Sequence, residues 1–325
     1  MRKISAVAGR LSPPIILLGL LLALPGCRNT QPQAPPLPPP ARRPPPSGGG
    51  ASGGSTGGGS YPAQPARGDN AGLLLGNPSG AGRDPNNLLL EIPQYSLAYD
   101  ASIGGPIWVC WHLEEKDLGD TDRSAFRPNA SLQPAMQIRP SDYKGSGFDR
   151  GHMCPSGDRT ASREDNEATF QMSNMLPQAP ALNQQVWKRL EDHCRRLAEA
   201  GNELYIAAGG VGSLGRIAGG RVNIPAACWK VIVVLPRGNN DLRRINVGTR
   251  VIAVAMPNKD TDEVAQAAWS QYLVSPARIE HATHLRFFST LPPPVRQALE
   301  NKLDSGSDDE GRGTAGGRTN GRSVD

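Results

Sequence analysis

The segment "FDRGHMCPSGDRT", residues 148–160, gathers several side chains that can take part in chemistry. Its core is Asp149-Arg150-Gly151-His152, in which the carboxylate, guanidinium and imidazole can handle metals, phosphates and protons. The glycine between Arg150 and His152 indicates a backbone that either bends or is approached closely at this point. Taken alone, the run is compatible with a reactive loop and with a polar surface turn, so the surrounding residues must decide between them.

A second group of polar side chains lies on the clearest helix of the sequence. In "ALNQQVWKRLEDHCRRLAEAG", residues 181–201, apolar side chains recur at helical spacing and predict one apolar stripe. Asn183 and Glu191 differ by about 12 Å along the helix axis and about 80° around it, so they cannot both bind one metal ion directly without distortion. Arg195 lies one turn beyond Glu191 on the same side, where it can pair with Glu191 or meet a phosphate.

Runs of β-branched and aromatic residues predict strands around this helix. These runs are 106–113, 203–209, 228–236 and 250–257, each bounded by Gly, Pro or Asn. Shorter helices are expected at 262–273 and 293–302. Strands surrounding one prominent helix favour an α+β fold with a mixed-sheet core.

One glycine-rich motif imitates a dinucleotide-binding site. "GVGSLG", residues 210–215, fits G-x-G-x-x-G and follows a predicted strand. A dinucleotide site needs a helix directly afterwards, but the next residues, "RIAGGRVNIP", are a poor helix. We therefore expect a glycine-rich loop here.

The composition divides the chain into four stretches. Residues 1–27 hold a basic start and the apolar run "IILLGLLLAL", too short to span a bilayer, and end in "LPGC". This pattern predicts a secretory signal in which Cys27 resembles the lipid-bearing cysteine of a bacterial lipobox. Residues 28–85 are rich in Pro, Gly and Ser and predict a disordered tether, residues 86–302 can form one domain, and residues 303–325 predict a disordered tail. We expect a lipoprotein anchored to the membrane in the bacterial cell envelope, with secretion as the alternative.

The net charge of the predicted domain does not by itself indicate a nucleic-acid partner. Residues 86–302 carry 24 basic and 23 acidic side chains, a net charge of +1. A nucleic-acid site must therefore be a local patch rather than a generally basic surface.

The cysteines of the predicted domain suggest cross-links. An even number of cysteines in an exported domain predicts two disulfides, with three possible pairings. The four residues concerned are Cys110, Cys154, Cys194 and Cys228. Neither a C-x-x-C pair nor a His/Cys cluster occurs, so a structural zinc site is not expected.

Several separate blocks, in a fixed order, resemble the DNA/RNA non-specific endonucleases. The blocks are "DRGH" at 149–152, "SNMLPQ" at 173–178, "LN" at 182–183 followed by "W" and "LE", "VNIPAACWKVIVV" at 222–234 and "LRFF" at 285–288. The resemblance covers about 95–300. It implies a ββα-metal motif on an α+β core, and hydrolysis of phosphodiester bonds in DNA and RNA without sequence preference. The implied cofactor is Mg²⁺, with Mn²⁺ or another divalent cation possible.

The resemblance also assigns roles to three residues. His152 is implied as the general base, because an imidazole titrates near neutrality and can take a proton from water. Asn183 is implied as the metal ligand, since one carbonyl oxygen together with phosphate oxygens and waters suits Mg²⁺. Glu191 is expected to act from behind, by holding a water on the metal or by orienting a neighbouring side chain.

The remaining implied residues contact the substrate or shape the site. The segment "DRSAFRPNASL", residues 122–132, resembles the part of the family that carries a phosphate-contacting arginine. Arg123 is the first choice for that role, and Arg127 stays open. Arg150 is expected to clamp phosphate or to fix the loop. The other expected site residues are Asn174 among the catalytic group, and Arg195, Lys188 and Gln178 as substrate contacts.

Two further functions stay open at this stage. The domain can be a phosphodiesterase for a narrower substrate such as a dinucleotide, or a nucleic-acid-binding lipoprotein that kept the fold without catalysis. The complete set of His152, Asn183 and Glu191 argues against the second, because binding alone does not need a base.

Overall fold

An antiparallel sheet of seven strands forms the centre of the fold. The computed structural model describes residues 68–306, together with Leu37. The strands are β1 Arg83–Asp84, β2 Asn87–Glu91, β3 Ser96–Asp100, β4 Gly105–Leu113, β5 Asp149–His152, β6 Met175–Gln178, β7 Asn202–Val211, β8 Gly215–Ile217, β9 Val222–Ile224, β10 Ala227–Pro236 and β11 Arg250–Pro257. The large sheet has the order β1-β2-β3-β4-β7-β10-β11. All neighbouring strands in this sheet pair antiparallel. The core sheet was expected to be mixed, and it is antiparallel throughout.

Six α-helices of the described chain accompany the strands. They are α1 Arg163–Thr169, α2 Lys188–Glu199, α3 Asp241–Arg244, α4 Asp262–Gln266, α5 Pro276–Thr283 and α6 Pro293–Glu300. A wide π-helical turn, Leu182–Trp187, leads directly into α2. The predicted α+β class is confirmed, and the predicted long helix is present as this turn plus α2. In residues 68–306, no helix is long and apolar enough to cross a bilayer.

Alternation of side chains along the central strands produces a core on each face of the sheet. On β10, Cys228 and Ile232 belong to the core that includes Leu190 and Cys194 of α2. Trp229 follows Cys228 along the strand, so it points to the opposite face and belongs to the core there. The apolar stripe predicted for the long helix therefore packs against the sheet, and its polar residues are left to form a surface.

A small hairpin stands beside this helix. β5 and β6 pair antiparallel, with Asp149 opposite Gln178 and His152 opposite Met175. The chain then passes through the π-helical turn into α2. Together β5, β6 and α2 make a ββα unit, as the sequence resemblance implied.

The glycine-rich motif is only partly a loop. Gly210 and Val211 end β7, residues 212–214 connect the strands and Gly215 begins β8, so no helix directly follows the G-x-G-x-x-G pattern. The pyrophosphate site of a dinucleotide-binding fold requires that helix.

The folded domain begins earlier and ends later than the sequence composition indicated. Leu73 and Leu74 are buried in the core, and the backbone N–H of Asn70 donates to the Tyr205 hydroxyl at 3.0 Å. The predicted tether boundary at residue 85 is therefore wrong. At the other end, Arg250 pairs with Asp304 at 2.8 Å, inside the predicted tail. The signal, Cys27 and the rest of the predicted tether and tail, apart from Leu37, lie outside the described residues.

The predicted disulfides are wrong as well. In the described part of the chain, all four cysteines are free and buried. Cys110 lies in the core on one face of the sheet, whereas Cys154, Cys194 and Cys228 lie in the core on the other face. Burial raises the pKa of every one of these thiols, to about 12 for Cys194 and Cys228. They pack as small apolar residues.

Candidate active site

A cleft of about 420 Å³ lies between the β5–β6 hairpin and the start of α2. Seven of the residues expected from the sequence line it: Arg123, Arg150, His152, Asn183, Lys188, Glu191 and Arg195. The fold therefore brings the expected base, the expected metal ligand and four cationic side chains to one place. A concentration of positive charge in a cleft attracts phosphate.

His152 ends strand β5 and presents its imidazole to the cleft. The residue is 9% exposed, and its Nε2 is buried with no hydrogen-bond partner among the described residues. The rings of Phe170 and Phe126 pack against it, with centroids 4.8 and 5.5 Å away. Burial, and then the charge of Arg123, lower the pKa of His152 to about 3. The imidazole is therefore neutral at physiological pH, and in the free protein it is a weaker proton acceptor than an exposed histidine.

Asp149, at the start of the same strand, fixes the expected metal ligand. Its Oδ2 accepts a hydrogen bond from Asn183 Nδ2 at 2.9 Å and another from Gln184 Nε2 at 2.9 Å. Because the amide nitrogen of Asn183 is tied to Asp149, its carbonyl oxygen is left for a partner in the cleft. Both amides come from the π-helical turn, and such turns occur frequently at functional sites.

Glu191 lies deeper in the wall and meets a buried cation. Its side chain is 13% exposed, and its Oε1 lies 3.5 Å from Nζ of Lys230 on β10. Burial raises the pKa of Glu191, while the charge of Lys230 and then that of Arg195 act against the rise. Glu191 thus lines the cleft on one side and faces Lys230 on the other.

Two carboxylates hold Arg195 in place. Its Nη1 donates to Asp158 Oδ1 at 2.9 Å, and its Nη2 donates to Asp192 Oδ1. Gly157 permits this approach, because a Cβ there would lie 2.7 Å from Arg195 Nη1. Helical spacing suggested Glu191 as a partner for Arg195, but the ion pairs of Arg195 are with Asp158 and Asp192.

The structure separates the two upstream arginines. Arg123 lines the cleft, and its Nη1 donates to Ser156 Oγ at 3.0 Å. Arg127 instead pairs with Glu167, with 3.4 Å between Nη1 and Oε2. Of these two arginines, Arg123 therefore lines this cleft and Arg127 does not.

Arg150 and Lys188 supply the other two cations. The Arg150 guanidinium lies over the Phe126 ring, 4.5 Å from its centroid. Lys188 donates to Asp192 at 2.6 Å and is largely exposed. Both side chains reach the cleft from opposite elements, the hairpin and α2.

Two expected site residues lie behind the cleft wall. Asn174 is fully buried, and its Nδ2 donates to the carbonyl oxygens of Cys154 and Thr169, both at 2.9 Å. Its Oδ1 accepts from the N–H of Cys154 at 3.0 Å. Gln178 is also fully buried, against Gly151. The structure corrects their expected roles, because these side chains support the hairpin and do not line the cleft.

The donors in the cleft fit a hydrated divalent cation. Within residues 68–306, no three His, Cys, Asp or Glu side chains converge on a possible metal position. A metal here would be held by the Asn183 carbonyl, with waters and phosphate oxygens completing its coordination, as suits Mg²⁺. Three buried atoms that make no hydrogen bond within the described protein belong to cleft-lining residues: His152 Nε2, Asn166 Oδ1 and Glu191 Oε1, the last of which faces Lys230. These atoms offer hydrogen bonds to waters around such an ion.

Sequence reasoning missed Asn166 and Lys230. Asn166 lies on α1, where its Nδ2 donates to the carbonyl oxygen of Ser156 at 3.0 Å. It belongs to the polar run "REDNEAT", in which no signal sets it apart. Lys230 did carry a signal, since it is the only charge in the otherwise apolar strand "ACWKVIVVLP".

Comparisons with known proteins identify the family of this chain. The family model described as DNA/RNA non-specific endonuclease matches residues 79–293. A nuclease of Nostoc sp. is 44% identical over 238 residues, which cover 72% of this chain and 86% of the relative. Human mitochondrial endonuclease G is 32% identical over 208 residues, which cover 59% of this chain and 67% of the relative.

A solved structure shares the fold. A crystal structure of the EndoG/EndoGI complex matches with a TM-score of 0.58 and 27% identity, over 68% of this chain and 91% of that chain. The family model covers more than half of the sequence. The protein therefore belongs to the DNA/RNA non-specific endonucleases and is a nuclease, a hydrolase that acts on nucleic acids.

Proposed function

We propose that this enzyme cuts DNA and RNA internally and without sequence preference, with His152 as the general base and Asn183 as the protein ligand of a single divalent cation. One observation carries the proposal. The Nε2 of His152 is buried, has no partner in the described protein and belongs to the cleft that also holds four cationic side chains.

The proposed chemistry uses the unpaired imidazole nitrogen. A water oxygen attacks the phosphorus while its proton passes to His152 Nε2, and the bond from phosphorus to the leaving oxygen breaks. The leaving oxygen then takes a proton from solvent. In the free protein the pKa of His152 is lowered to about 3. A phosphate entering beside the ring raises that pKa, because a negative charge stabilises imidazolium. Substrate itself therefore strengthens the base.

The cation site depends on Asn183 and its support by Asp149. When bound, a divalent cation stabilises negative charge on the phosphate and on the leaving oxygen. Mg²⁺ is our first choice, with Mn²⁺ or another divalent cation as the alternative. Asp149 keeps the Asn183 amide nitrogen occupied, so that the carbonyl oxygen would be available to hold the ion. Glu191 lines the same cleft and would accept a hydrogen bond from a water held beside the ion.

The substrate is held through its phosphates. Arg123, Arg150, Lys188 and Arg195 surround the cleft, and guanidinium groups match phosphate oxygens in geometry. Phosphate contacts carry no base sequence, so this set supports cleavage of many sequences in both DNA and RNA.

The test compares two variants with a matched control. His152→Ala should retain Mg²⁺ and DNA binding while turnover falls by roughly 100- to 10,000-fold, the usual scale for a positioned acid or base. Asn183→Ala should lose metal affinity as well, and excess Mg²⁺ should restore part of its activity. His281→Ala changes an exposed histidine and should behave as wild type.

The measurement is a Mg²⁺ titration of the cleavage rate on plasmid DNA, RNA and a dinucleotide, with circular dichroism to verify folding. Near-wild-type turnover by folded His152→Ala would contradict the proposed base. Cleavage of the dinucleotide alone would favour a phosphodiesterase with a narrower substrate.

We propose separately that the enzyme is exported and held at the bacterial cell envelope by lipid on Cys27, with secretion as the alternative. The support is the sequence "LLALPGC" after a basic start and an apolar run. Cys27→Ser should release the protein from membranes or leave its signal uncleaved. Unchanged mass and unchanged membrane association of that variant would argue for another way of attachment.

A further inference from the structure

Lys230 occupies an unusual place in the fold. It lies in the middle of β10, paired with Ala208 on β7 and with Val254 on β11. Its neighbours on the same face of the strand, Cys228 and Ile232, are fully buried. Lys230 itself is 1% exposed, although lysine is almost never fully buried unless it is paired.

The surroundings of its ammonium group explain how the charge is tolerated. Nζ lies 4.4 Å from the Trp187 ring centroid and 5.5 Å from that of Trp111, so two indole faces receive it. The Glu191 carboxylate lies 3.5 Å away. Trp187 ends the π-helical turn that carries Asn183, and Glu191 lines the catalytic cleft. The lysine is thus packed directly behind the active site.

We infer that Lys230 is a positioning residue of the active site, whose ammonium keeps the Glu191 carboxylate ionised and turned so that it can serve the cleft. The inference rests on the proposed function, in which Glu191 takes part. Burial alone favours the neutral carboxylic acid. A protonated carboxyl gains a donor and is a weaker acceptor than the carboxylate, whereas the proposed role needs a strong acceptor for water beside the cation.

A purely structural lysine predicts different behaviour from a positioning one. Replacing a buried ion pair with apolar residues of similar volume often leaves stability unchanged or increases it, whereas removing one partner of the pair is destabilising. Methionine is unbranched and adapts to irregular core space, so Lys230→Met keeps the packing while removing the charge. In the Glu191→Gln background, where the carboxylate is already gone, Lys230→Met should therefore raise stability without lowering activity, which a filling role does not allow.

The experiment is a double-variant cycle with Lys230→Met, Glu191→Gln and the combination of both. For each variant we measure turnover on DNA and thermal stability. Electron paramagnetic resonance measures the binding of Mn²⁺ in the absence of substrate. Lys230→Met should lower turnover at least tenfold and weaken Mn²⁺ binding. In the Glu191→Gln background it should lower neither any further, and it should raise the melting temperature. Lys259→Met, at an exposed lysine, serves as the control and should change none of these.

Several outcomes would overturn the inference. If Lys230→Met cannot be purified in a folded state, the combined variant is compared with Glu191→Gln alone, and a lower residual turnover of the combined variant contradicts the inference. An equal loss from Lys230→Met in both backgrounds means that Lys230 acts independently of Glu191. If Lys230→Met is fully active while Glu191→Gln is inactive, the inference about Lys230 is wrong and the proposed role of Glu191 stands. Full activity of Glu191→Gln removes Glu191 from the proposed function as well.

Discussion

Gly151, between Arg150 and His152, is required for close packing rather than for a bend. Its φ lies outside the left-handed region that favours glycine, so the backbone alone accepts other residues. A Cβ at this position would lie 2.0 Å from Gln178 Oε1 and 2.5 Å from Gln178 Cγ. Gln178 is fully buried, so it cannot move into solvent. Gly151→Ala must therefore displace Gln178 or shift strand β5.

The size of the effect follows from that overlap. Adding a methyl group to a packed site costs about 1–3 kcal/mol. For a domain of this size, each kcal/mol lowers the melting temperature by about 2–4 °C, so we expect a decrease of about 2–12 °C. His152 is the next residue, and a shift of about 1 Å at a catalytic group can cost roughly 100-fold in rate. Gly151→Ala should therefore lower both the melting temperature and turnover.

The assay includes a compensating change. Thermal unfolding and DNA cleavage are measured for Gly151→Ala, Gln178→Ala and the combination, in which the shortened side chain makes room for the new methyl group. The added methyl should cost less in the Gln178→Ala background than in the wild type. Gly82→Ala is the control, because a Cβ there meets nothing within 4 Å. A wild-type melting temperature for Gly151→Ala, or an equal cost in both backgrounds, would refute the packing argument.

Three further predictions concern charge and thiols. Affinity for long DNA should fall steeply with salt, and replacing Arg150 or Lys188 with Gln should reduce the slope of log affinity against log salt by about 1; an unchanged slope would exclude that side chain as a phosphate contact. Burial lowers the pKa of His112 to about 4, so between pH 6.5 and 4 the unfolded chain binds a proton that the folded chain does not. The free energy of unfolding should therefore decrease as the pH is lowered across this window, by about 3 kcal/mol at pH 4. His112→Gln should flatten the plot of unfolding free energy, measured with urea, against pH. Parallel plots for wild type and variant would indicate that His112 has an ordinary pKa. Folded Cys27→Ser protein should show no thiol that reacts with Ellman's reagent and four after unfolding, and reaction of the folded form would place a thiol at the surface.

The sequence was sufficient for much of the fold because its patterns are local. Runs of β-branched residues marked β4, β7, β10 and β11, and the apolar stripe marked the helix that became α2. Apolar spacing indicates which face of an element is buried, and in these elements the faces that it indicated are the ones that pack into the core. The widened first turn of that helix was not foreseen, because its six residues are too few for their apolar spacing to distinguish i→i+4 from i→i+5 hydrogen bonding.

Features that depend on three-dimensional neighbours were predicted less well. The cysteine count suggested two disulfides, but a count does not show on which face of the sheet each thiol lies. The tether boundary failed for a related reason. Glycine and proline dominate the composition before residue 86, yet Leu73 and Leu74 within that stretch pack into the core. Composition averages over a window, whereas burial is decided residue by residue.

Gln178 shows why residue type alone did not identify a substrate contact. It pairs with Asp149 across the β5–β6 hairpin, and directly paired residues point to the same face of a hairpin. Alternation places Gly151 on that face too, while Arg150 and His152 share the other. The side chain of Gln178 consequently fills the space left by Gly151 and never reaches the base.

The same alternation explains how four consecutive residues build both halves of the site. On one face of β5, Asp149 ties down the Asn183 amide. On the other face, Arg150 and His152 pack against the Phe126 ring, at 4.5 and 5.5 Å from its centroid. One short strand thereby sets the position of the proposed metal ligand, Asn183, through one face and that of the proposed base, His152, through the other. His152 belongs to β5, and Asn183 is hydrogen-bonded to Asp149 of the same strand. The distance between the proposed base and the proposed ligand therefore does not depend on a flexible connection.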